Sequence, residues 1–155
     1  MAEKPSLHEV GNCRPIHRRA VLVLKYPDNK HVKAFEGREA LSKSARRFFE
    51  TSVDYWIGDY NQPKRFHGWN KSQFGGEYIN CFVFKAKDDN SRHRFYGFLC
   101  NPLTKKPNFQ VCVLVVYDTK DEDASNTANL EKVLRISNIV EIQSLVTEFF
   151  SAFEE

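Results

Sequence analysis

The sequence predicts a single-domain α+β fold, in which an antiparallel sheet of four or five strands packs against one long helix and a C-terminal helical segment. Two observations predict it: three neighbouring segments are rich in aromatic and β-branched residues, and the segments on either side carry apolar residues at a helical period. A length of 155 residues suits one domain. We expect this domain to span residues 18–155, preceded by a flexible polar arm at residues 1–17.

The three neighbouring segments are predicted to form a three-stranded antiparallel meander. They are residues 78–87, 93–100 and 109–117. The residues between them are rich in Asp, Asn and Pro, which favour turns. The third segment is apolar at almost every position, as expected for a central strand covered on both faces. In the first segment Lys85 and Lys87 alternate with apolar residues, so that both lysines project from the same face.

Before the meander, the sequence predicts a hairpin and then the long helix. Residues 20–26 are predicted to form a strand, and a turn signal followed by the extended run 31–35 predicts its partner. Residues 37–57 carry an apolar stripe at 3.6 residues per turn, with Gly58 as the C-cap. The basic outer face of this helix is either a solvated surface or a nucleic-acid contact.

The segment 59–77 links this helix to the meander and interleaves basic with aromatic side chains. The residues that could hold phosphates and stack bases are Lys64, Arg65, Phe66, His67, Trp69 and Lys71. Of these, Lys64, Arg65 and Trp69 are taken as site candidates. The alternative interpretation is that the aromatic residues of this segment close the hydrophobic core. After the meander we expect a helix from near Ala128, which is either one bent helix or two helices.

Basic and acidic residues are unevenly distributed along the chain. The net charge is +3, yet residues 1–120 hold 21 Lys and Arg against 12 Asp and Glu, whereas residues 121–155 hold two against eight. A basic body suits a phosphate-bearing partner, although uneven charge is also common on solvated surfaces.

Several classes of protein and site are disfavoured. The four cysteines show no paired spacing and three fall inside predicted strands, which indicates buried free thiols and a reducing, cytoplasmic location. The histidines are scattered without metal-ligand spacing, and no nucleotide-binding or hydrolase motif is present, so we expect neither a metal nor a cofactor. No apolar run is long enough to span a membrane, and no membrane partner is expected.

The strongest site candidate is a group of basic and titratable side chains at one end of the meander. Its members are Lys85, Lys87, Arg92, His93, Arg94 and Tyr96, with Lys120 at the exit of the third strand. Cations fixed on a sheet can hold the phosphates around a scissile RNA bond and stabilise the transition state without a metal. The alternative is that Lys and Arg at strand ends face water by default.

Three short motifs lie in the meander. They are Phe84-Lys85-Ala86-Lys87, His93-Arg94-Phe95-Tyr96 and Val116-Tyr117-Asp118-Thr119-Lys120. Together with the order of helix, linking segment, meander and C-terminal helix, they resemble the RelE and HigB-like toxin superfamily, over about residues 40–136. Members of that superfamily are small cytoplasmic messenger-RNA endonucleases that depend on the ribosome.

The resemblance implies a function and a role for each site residue. Lys85, Lys87 and Arg94 would position and stabilise the scissile phosphate, and His93 or Tyr96 would assist proton transfer. The resemblance also implies that Lys120 contacts RNA. Arg92, Lys64, Arg65 and Trp69 are expected to bind RNA because of their own basic or aromatic character. The implied protein is the toxin of a toxin–antitoxin pair, a metal-independent endoribonuclease whose partners are RNA or the ribosome and an antitoxin protein. The alternative is a non-catalytic protein- or nucleic-acid-binding module, such as a phage or mobile-element inhibitor.

Overall fold

In the computed structural model, which describes residues 3–11, 18–119 and 127–151, the chain has an α+β fold built on one six-stranded sheet. The strands are β1 Ser6–Val10, β2 Arg19–Lys25, β3 Phe66–Gly68, β4 Cys81–Lys87, β5 Arg92–Cys100 and β6 Gln110–Asp118. The helices are α1 Ala34–Glu39, α2 Lys43–Ile57, α3 Thr127–Ser137 and α4 Val140–Phe150. The predicted α+β class is confirmed.

The sheet is larger than predicted and mixed rather than antiparallel. Its strand order is β1-β2-β6-β5-β4-β3. The meander β4-β5-β6 is antiparallel and β6 lies in the interior of the sheet, as predicted. However, β2 pairs with β6 in parallel, from Arg19 opposite Gln110 to Val23 opposite Leu114. A parallel pair needs a long crossover, and the whole stretch from α1 to β5 provides it.

The partner of β2 within the N-terminal region also differs from the prediction. The second strand of the hairpin is β1, which pairs with β2 from Ser6 opposite Lys25 to Val10 opposite Val21. Part of the predicted arm, residues 1–17, is therefore a strand of the sheet. Residues 31–35 do not form the predicted strand, because the chain turns at Asn29, whose carbonyl accepts from Val32 N at 3.1 Å, and then enters α1.

The predicted long helix is two helices, separated at Ser42. Ser42 has an extended backbone, with ψ of 160°, and its hydroxyl accepts from Ala45 N at 3.2 Å, which is the bond of an N-cap. At the other end, Gly58 is the C-cap as predicted, and Asp59 takes the left-handed conformation with φ of 64°. Arg19 ties this end to β2, because its guanidinium donates to Trp56 O at 2.8 Å and pairs with Asp59 at 3.2 Å.

Helices cover both faces of the sheet. On the α2 face, Phe49 and Trp56 pack with sheet residues such as Phe84 and Phe95. On the α3/α4 face, the buried helical residues are Leu130, Val133, Ile136, Ile142, Val146 and Phe150. Strand β2 is buried on both faces at Ala20–Leu24, which explains its uninterrupted apolar sequence. Within the described ranges, no helix combines the length and apolar character that crossing a membrane requires.

A β-bulge interrupts the pairing of β5 with β6. Tyr96 lies opposite Val116 and Gly97 opposite Leu114, so that Val115 has no partner in β5. The Val115 carbonyl instead accepts from Lys33 N at 3.0 Å and holds the start of α1 against the sheet. Gly97 is required here, because a β-carbon at this position would lie 2.4 Å from the carbonyl oxygen of Val113.

Candidate functional site

A cleft of about 650 Å³ lies at the edge of the sheet, where the short strand β3 stops and β4 and β5 continue. It is bounded by Phe48 of α2, by residues 62–65 that lead into β3, and by the adjoining ends of β4 and β5. Its cationic and titratable lining residues are Lys64, Arg65, His67, Lys85, Lys87, Arg92, His93 and Arg94. None of the twelve described residues that line it is Asp or Glu. Six permanent cations in one concave site focus a positive potential that attracts phosphates.

Strand register brings the cations of β4 and β5 together. Lys85 lies opposite Arg94, and Lys87 lies opposite Arg92. Like charges in directly opposed positions of an antiparallel pair destabilise the sheet. Two such pairs in succession concentrate positive charge at this end of the sheet, and on its other side Arg94 lies opposite Asp118 of β6.

Arg65 is fixed to α2 and is part of the wall of the cleft. Its guanidinium donates to Ser52 Oγ at 3.1 Å and to Phe48 O at 3.3 Å, and it lies 4.0 Å from the centroid of the Phe48 ring. Lys87 Nζ lies 5.6 Å from the same ring. Phe48 thus holds two of the cleft cations by cation–π contacts.

The turn between β4 and β5 is organised by Asp88. Its carboxylate accepts from Ser42 Oγ at 2.7 Å, from the backbone N–H groups of Asn90 and Ser91, and from Ser91 Oγ at 2.9 Å. The bond from Ser42, followed by those from Asn90 and Ser91, holds the pKa of this carboxyl well below its usual range. The Asp88 carboxylate is therefore occupied by hydrogen bonds within its own turn and from the N-cap of α2.

His93 lies on the α2 face of the sheet and both of its ring nitrogens have protein partners. Nδ1 is 2.6 Å from Tyr117 Oη, and Nε2 is 2.9 Å from Ser91 Oγ. Because the Ser91 hydroxyl donates to the ionised Asp88, it accepts from His93 Nε2–H, and Nδ1 then accepts the proton of Tyr117. Burial lowers the pKa of His93, although the charge of Asp88 partly opposes this. In the neutral ring the proton-accepting nitrogen, Nδ1, is therefore already occupied by the hydrogen bond from Tyr117.

The structure brings most of the predicted site residues together, but not all of them. Those that line the cleft are Lys64, Arg65, Lys85, Lys87, Arg92, His93 and Arg94. Tyr96 is only 4% exposed within the core of the α3/α4 face and is not among the lining residues. Trp69 is half-buried against the same core, which favours the core-closing interpretation for this residue. Lys120 lies outside the described residues.

His67 lines the cleft, whereas the sequence identified it only as one of several basic and aromatic residues of segment 59–77 and gave it no site role of its own. It is the middle residue of β3, opposite Val83, and its Nδ1 lies 3.1 Å from the carbonyl oxygen of Gly68. Burial lowers the pKa of His67; the bond to Gly68 opposes this, and the charges of Lys85 and Arg94 lower it further. The only sequence signal was its position among basic and aromatic residues, which does not reveal that three residues of this segment pair with the sheet.

The described cysteines do not offer a reactive thiol. Burial raises the pKa of Cys81 to about 12 and that of Cys100 to about 11, and it raises the pKa of Cys112 well above its ordinary value. Thiolates are the nucleophilic form of cysteine, so these groups are inert near neutral pH. Over the described part of the chain, no group of three His, Cys, Asp or Glu side chains is placed to hold a metal ion.

Comparisons with models of known protein families, with curated proteins and with solved structures found no match to this chain. The fold and the site together define an α+β domain whose sheet edge carries a cationic cleft.

Proposed function

We propose that this chain is a metal-independent endoribonuclease of the RelE/HigB-like kind, which binds messenger RNA through the cleft and cleaves it on the ribosome. The observation that carries the proposal is the composition of the cleft, six Lys and Arg with two His and no acidic lining residue. Phosphodiesters are the anions that such a site suits, because several cations can contact successive phosphates of one strand.

The arrangement of cations also suits the chemistry. Cleavage of RNA without a metal passes through a pentavalent phosphorus on which negative charge accumulates. Lys85 and Arg94, opposed on neighbouring strands, supply positive charge from a rigid support and need little reorganisation as the charge develops. Arg65, held by Ser52 and Phe48, adds a third fixed charge.

The order of the elements supports the proposed kinship. The superfamily commonly has a helical hairpin before its three-stranded meander, and this chain has two successive helices, α1 and α2, before β4-β5-β6. An antitoxin protein is the partner that this kinship suggests.

The test is induction of the chain in a bacterial host, with growth and the 5′ ends of messenger RNA followed together. We expect growth arrest and new 5′ ends on translated messages, and loss of both in Arg94→Ala. Lys30→Ala, which removes a cation from the turn after β2, is the matched control and should retain both effects. Unchanged messages with the unaltered chain, or cleavage that persists in both Arg94→Ala and Lys85→Ala, would contradict the proposal.

A second candidate is binding of nucleic acid without cleavage. It is favoured by the closed nitrogens of His93 and by the burial of Tyr96, the two residues first expected to transfer protons. This candidate predicts salt-dependent RNA binding by the purified protein and intact messages in the cell.

A further inference from the structure

His67 shares a sheet face and a cleft with the two central cations. It pairs with Val83, two residues before Lys85, and Lys85 pairs with Arg94. Because side chains two residues apart and directly opposed side chains share a face, His67, Lys85 and Arg94 lie on the α3/α4 face at the same end of the sheet. All three line the cleft, and the charges of Lys85 and Arg94 act on the His67 ring.

The hydrogen bond to Gly68 selects one tautomer of His67. A carbonyl oxygen only accepts, so the bond of 3.1 Å requires the hydrogen on Nδ1. The lone pair of the neutral ring is then on Nε2. The indole of Trp69, with ring centroids 4.9 Å apart, packs against the imidazole and restricts its rotation.

His67 and His93 differ in whether a protein group already occupies the proton-accepting ring nitrogen. In His93 the accepting nitrogen is closed by the hydroxyl of Tyr117, and the ring belongs to the opposite, α2 face. Among the described residues, the side chain of His67 makes one hydrogen bond, from Nδ1, the nitrogen that donates, and its ring is half-buried in the wall of the cleft.

We propose that His67 Nε2 is the proton acceptor of the cleft and that the group it deprotonates is a ribose 2′-hydroxyl next to a phosphate held by Lys85 and Arg94. This inference rests on the proposed function and assigns its base. The 2′-oxygen forms the new bond to phosphorus, and the bond from phosphorus to the 5′-oxygen breaks. The proton on His67 passes to solvent, the 5′-oxygen takes one from solvent, and the products are a 2′,3′-cyclic phosphate and a 5′-hydroxyl, with no net consumption of water.

The electrostatics of the cleft fit a base that works near neutral pH. Burial and then the cations on β4 and β5 keep His67 neutral, and Lys64 and Arg65 add positive charge from the segment before β3. Of the described residues that line the cleft, none carries a carboxylate that would raise the pKa of the ring. A bound phosphate adds negative charge beside the ring, so we expect the pKa of His67 to rise when the cleft is filled.

The kinetic test measures message cleavage in a reconstituted bacterial translation reaction by the unaltered protein, His67→Gln, His67→Ala and the remote control His31→Gln. Loss of a general base typically lowers the rate by about 10²- to 10⁴-fold, and we expect a loss in this range for both His67 variants. The acidic limb of the pH–rate profile should disappear, and added imidazole should partly restore His67→Ala. Binding of a 2′-O-methyl RNA, which cannot be cleaved by this route, should change by less than about 3-fold, because neutral His67 contributes little to phosphate affinity.

The outcomes separate the inference from the proposed function. Cleavage by the unaltered protein that His67→Gln retains within about 3-fold overturns the role of His67 alone. Loss of activity in His67→Ala without imidazole rescue, together with weakened RNA binding, also overturns it, because a purely structural role would give that result. Absence of cleavage by the unaltered protein overturns the proposed function and this inference with it.

An independent readout is the histidine titration followed by NMR, with and without inorganic phosphate. The pKa of His67 should rise on addition of phosphate, as expected for a neutral base beside an anion. A resonance of His67 that does not respond while the signals of Lys85 and Arg94 shift would contradict its place beside the bound anion.

Discussion

Gly37 of α1 lies directly against the ring of Tyr117 on β6, at a separation that leaves no room for a side chain. A β-carbon at Gly37 would lie 2.4 Å from the Cγ and Cδ1 atoms of that ring. Tyr117 in turn bonds to His93 near the start of β5. The position of α1 therefore determines where the Tyr117 ring sits and, through it, the conformation of His93.

Gly37→Ala should destabilise the protein, although alanine is the better helix former. Helix propensity alone would favour alanine by about 1 kcal/mol. The contact with Tyr117 is a steric conflict in a packed site, and overpacking of this kind typically costs about 1–3 kcal/mol. Urea unfolding followed by circular dichroism measures the difference. Lys43→Ala, an exposed change at the start of α2, should stay within about 0.5 kcal/mol of the unaltered protein, and a Gly37→Ala protein as stable as this control would show that α1 moves freely.

Tyr117→Phe should lower the free energy of unfolding by about 1 kcal/mol, the usual contribution of one hydrogen bond. It removes the hydroxyl 2.6 Å from His93 Nδ1 and leaves the ring stacking in place. Tyr26→Phe is the matched control, because the Tyr26 hydroxyl makes an exposed bond of 3.3 Å to Glu141. Equal effects of the two changes in urea unfolding would contradict the importance assigned to the Tyr117–His93 bond.

Asp88→Asn should make stability less dependent on acidic pH. Hydrogen bonds from Ser42, Asn90 and Ser91 depress the pKa of folded Asp88 below that of an unfolded carboxyl, which is about 4. Its stabilisation is therefore fully present above that pH and is lost as the pH falls through the folded pKa. The variant should be less stable at pH 7 and lose less stability between about pH 6 and pH 3. Asp89→Asn, an exposed change in the same turn, should keep the slope of the unaltered protein.

The salt dependence of RNA affinity should show how much each cation of the cleft contributes to phosphate binding. Each phosphate contact to a single strand contributes about 0.7 to the slope of log K against log salt concentration. Lys87→Ala and Arg92→Ala should each reduce the slope for a short single-stranded RNA by about that amount, and the double variant by about twice as much. Lys87→Arg and Lys30→Ala are the controls that should retain the slope, measured by fluorescence anisotropy. A slope that none of the cleft variants changes would place the RNA elsewhere.

Much of the meander could be predicted because its signals are local. The alternation around Phe84 and Lys85, the turn residues at 88–91 and the apolar run of β6 each depend on a few adjacent positions, and β4-β5-β6 forms as expected. The parallel pairing of β2 with β6 could not be read in the same way. This pairing depends on residues far apart in the chain. An apolar run such as Ala20–Leu24 indicates a buried strand but does not predict which strands pair with it.

The errors in the N-terminal half have specific physical causes. The apolar stripe continues across Ser42 because α1 and α2 both pack on the same sheet face, so that the period alone does not reveal the break. The start of α2 could have been predicted from the sequence, since serine is a strongly preferred N-cap residue and Ser42 precedes the helix. Ser6–Val10 is short and partly polar, as is usual for an edge strand, and its sequence does not distinguish it from an irregular segment.

Most of the residues that line the cleft were predicted from the sequence, but the orientation and burial of its titratable side chains were not. Alternation correctly placed Lys85 and Lys87, and the basic residues of two separate segments line one cleft. His93 and Tyr96 were predicted to transfer protons from their residue types alone. In the structure both ring nitrogens of His93 have protein partners and Tyr96 is buried, and both outcomes depend on strand register and helix packing.

The pairing of Arg19 with Gln110 has a consequence for a chain that is still being synthesised. The hairpin of β4 and β5, with its opposed cations, depends on neighbouring residues and can form as soon as residue 100 is outside the ribosome. Strand β2 is made much earlier but has to wait for β6 before its interior edge is covered. A nascent chain would therefore carry a basic hairpin beside ribosomal RNA, and the residues that line the cleft, from Phe48 to Arg94, would all be synthesised before β6 completes the sheet.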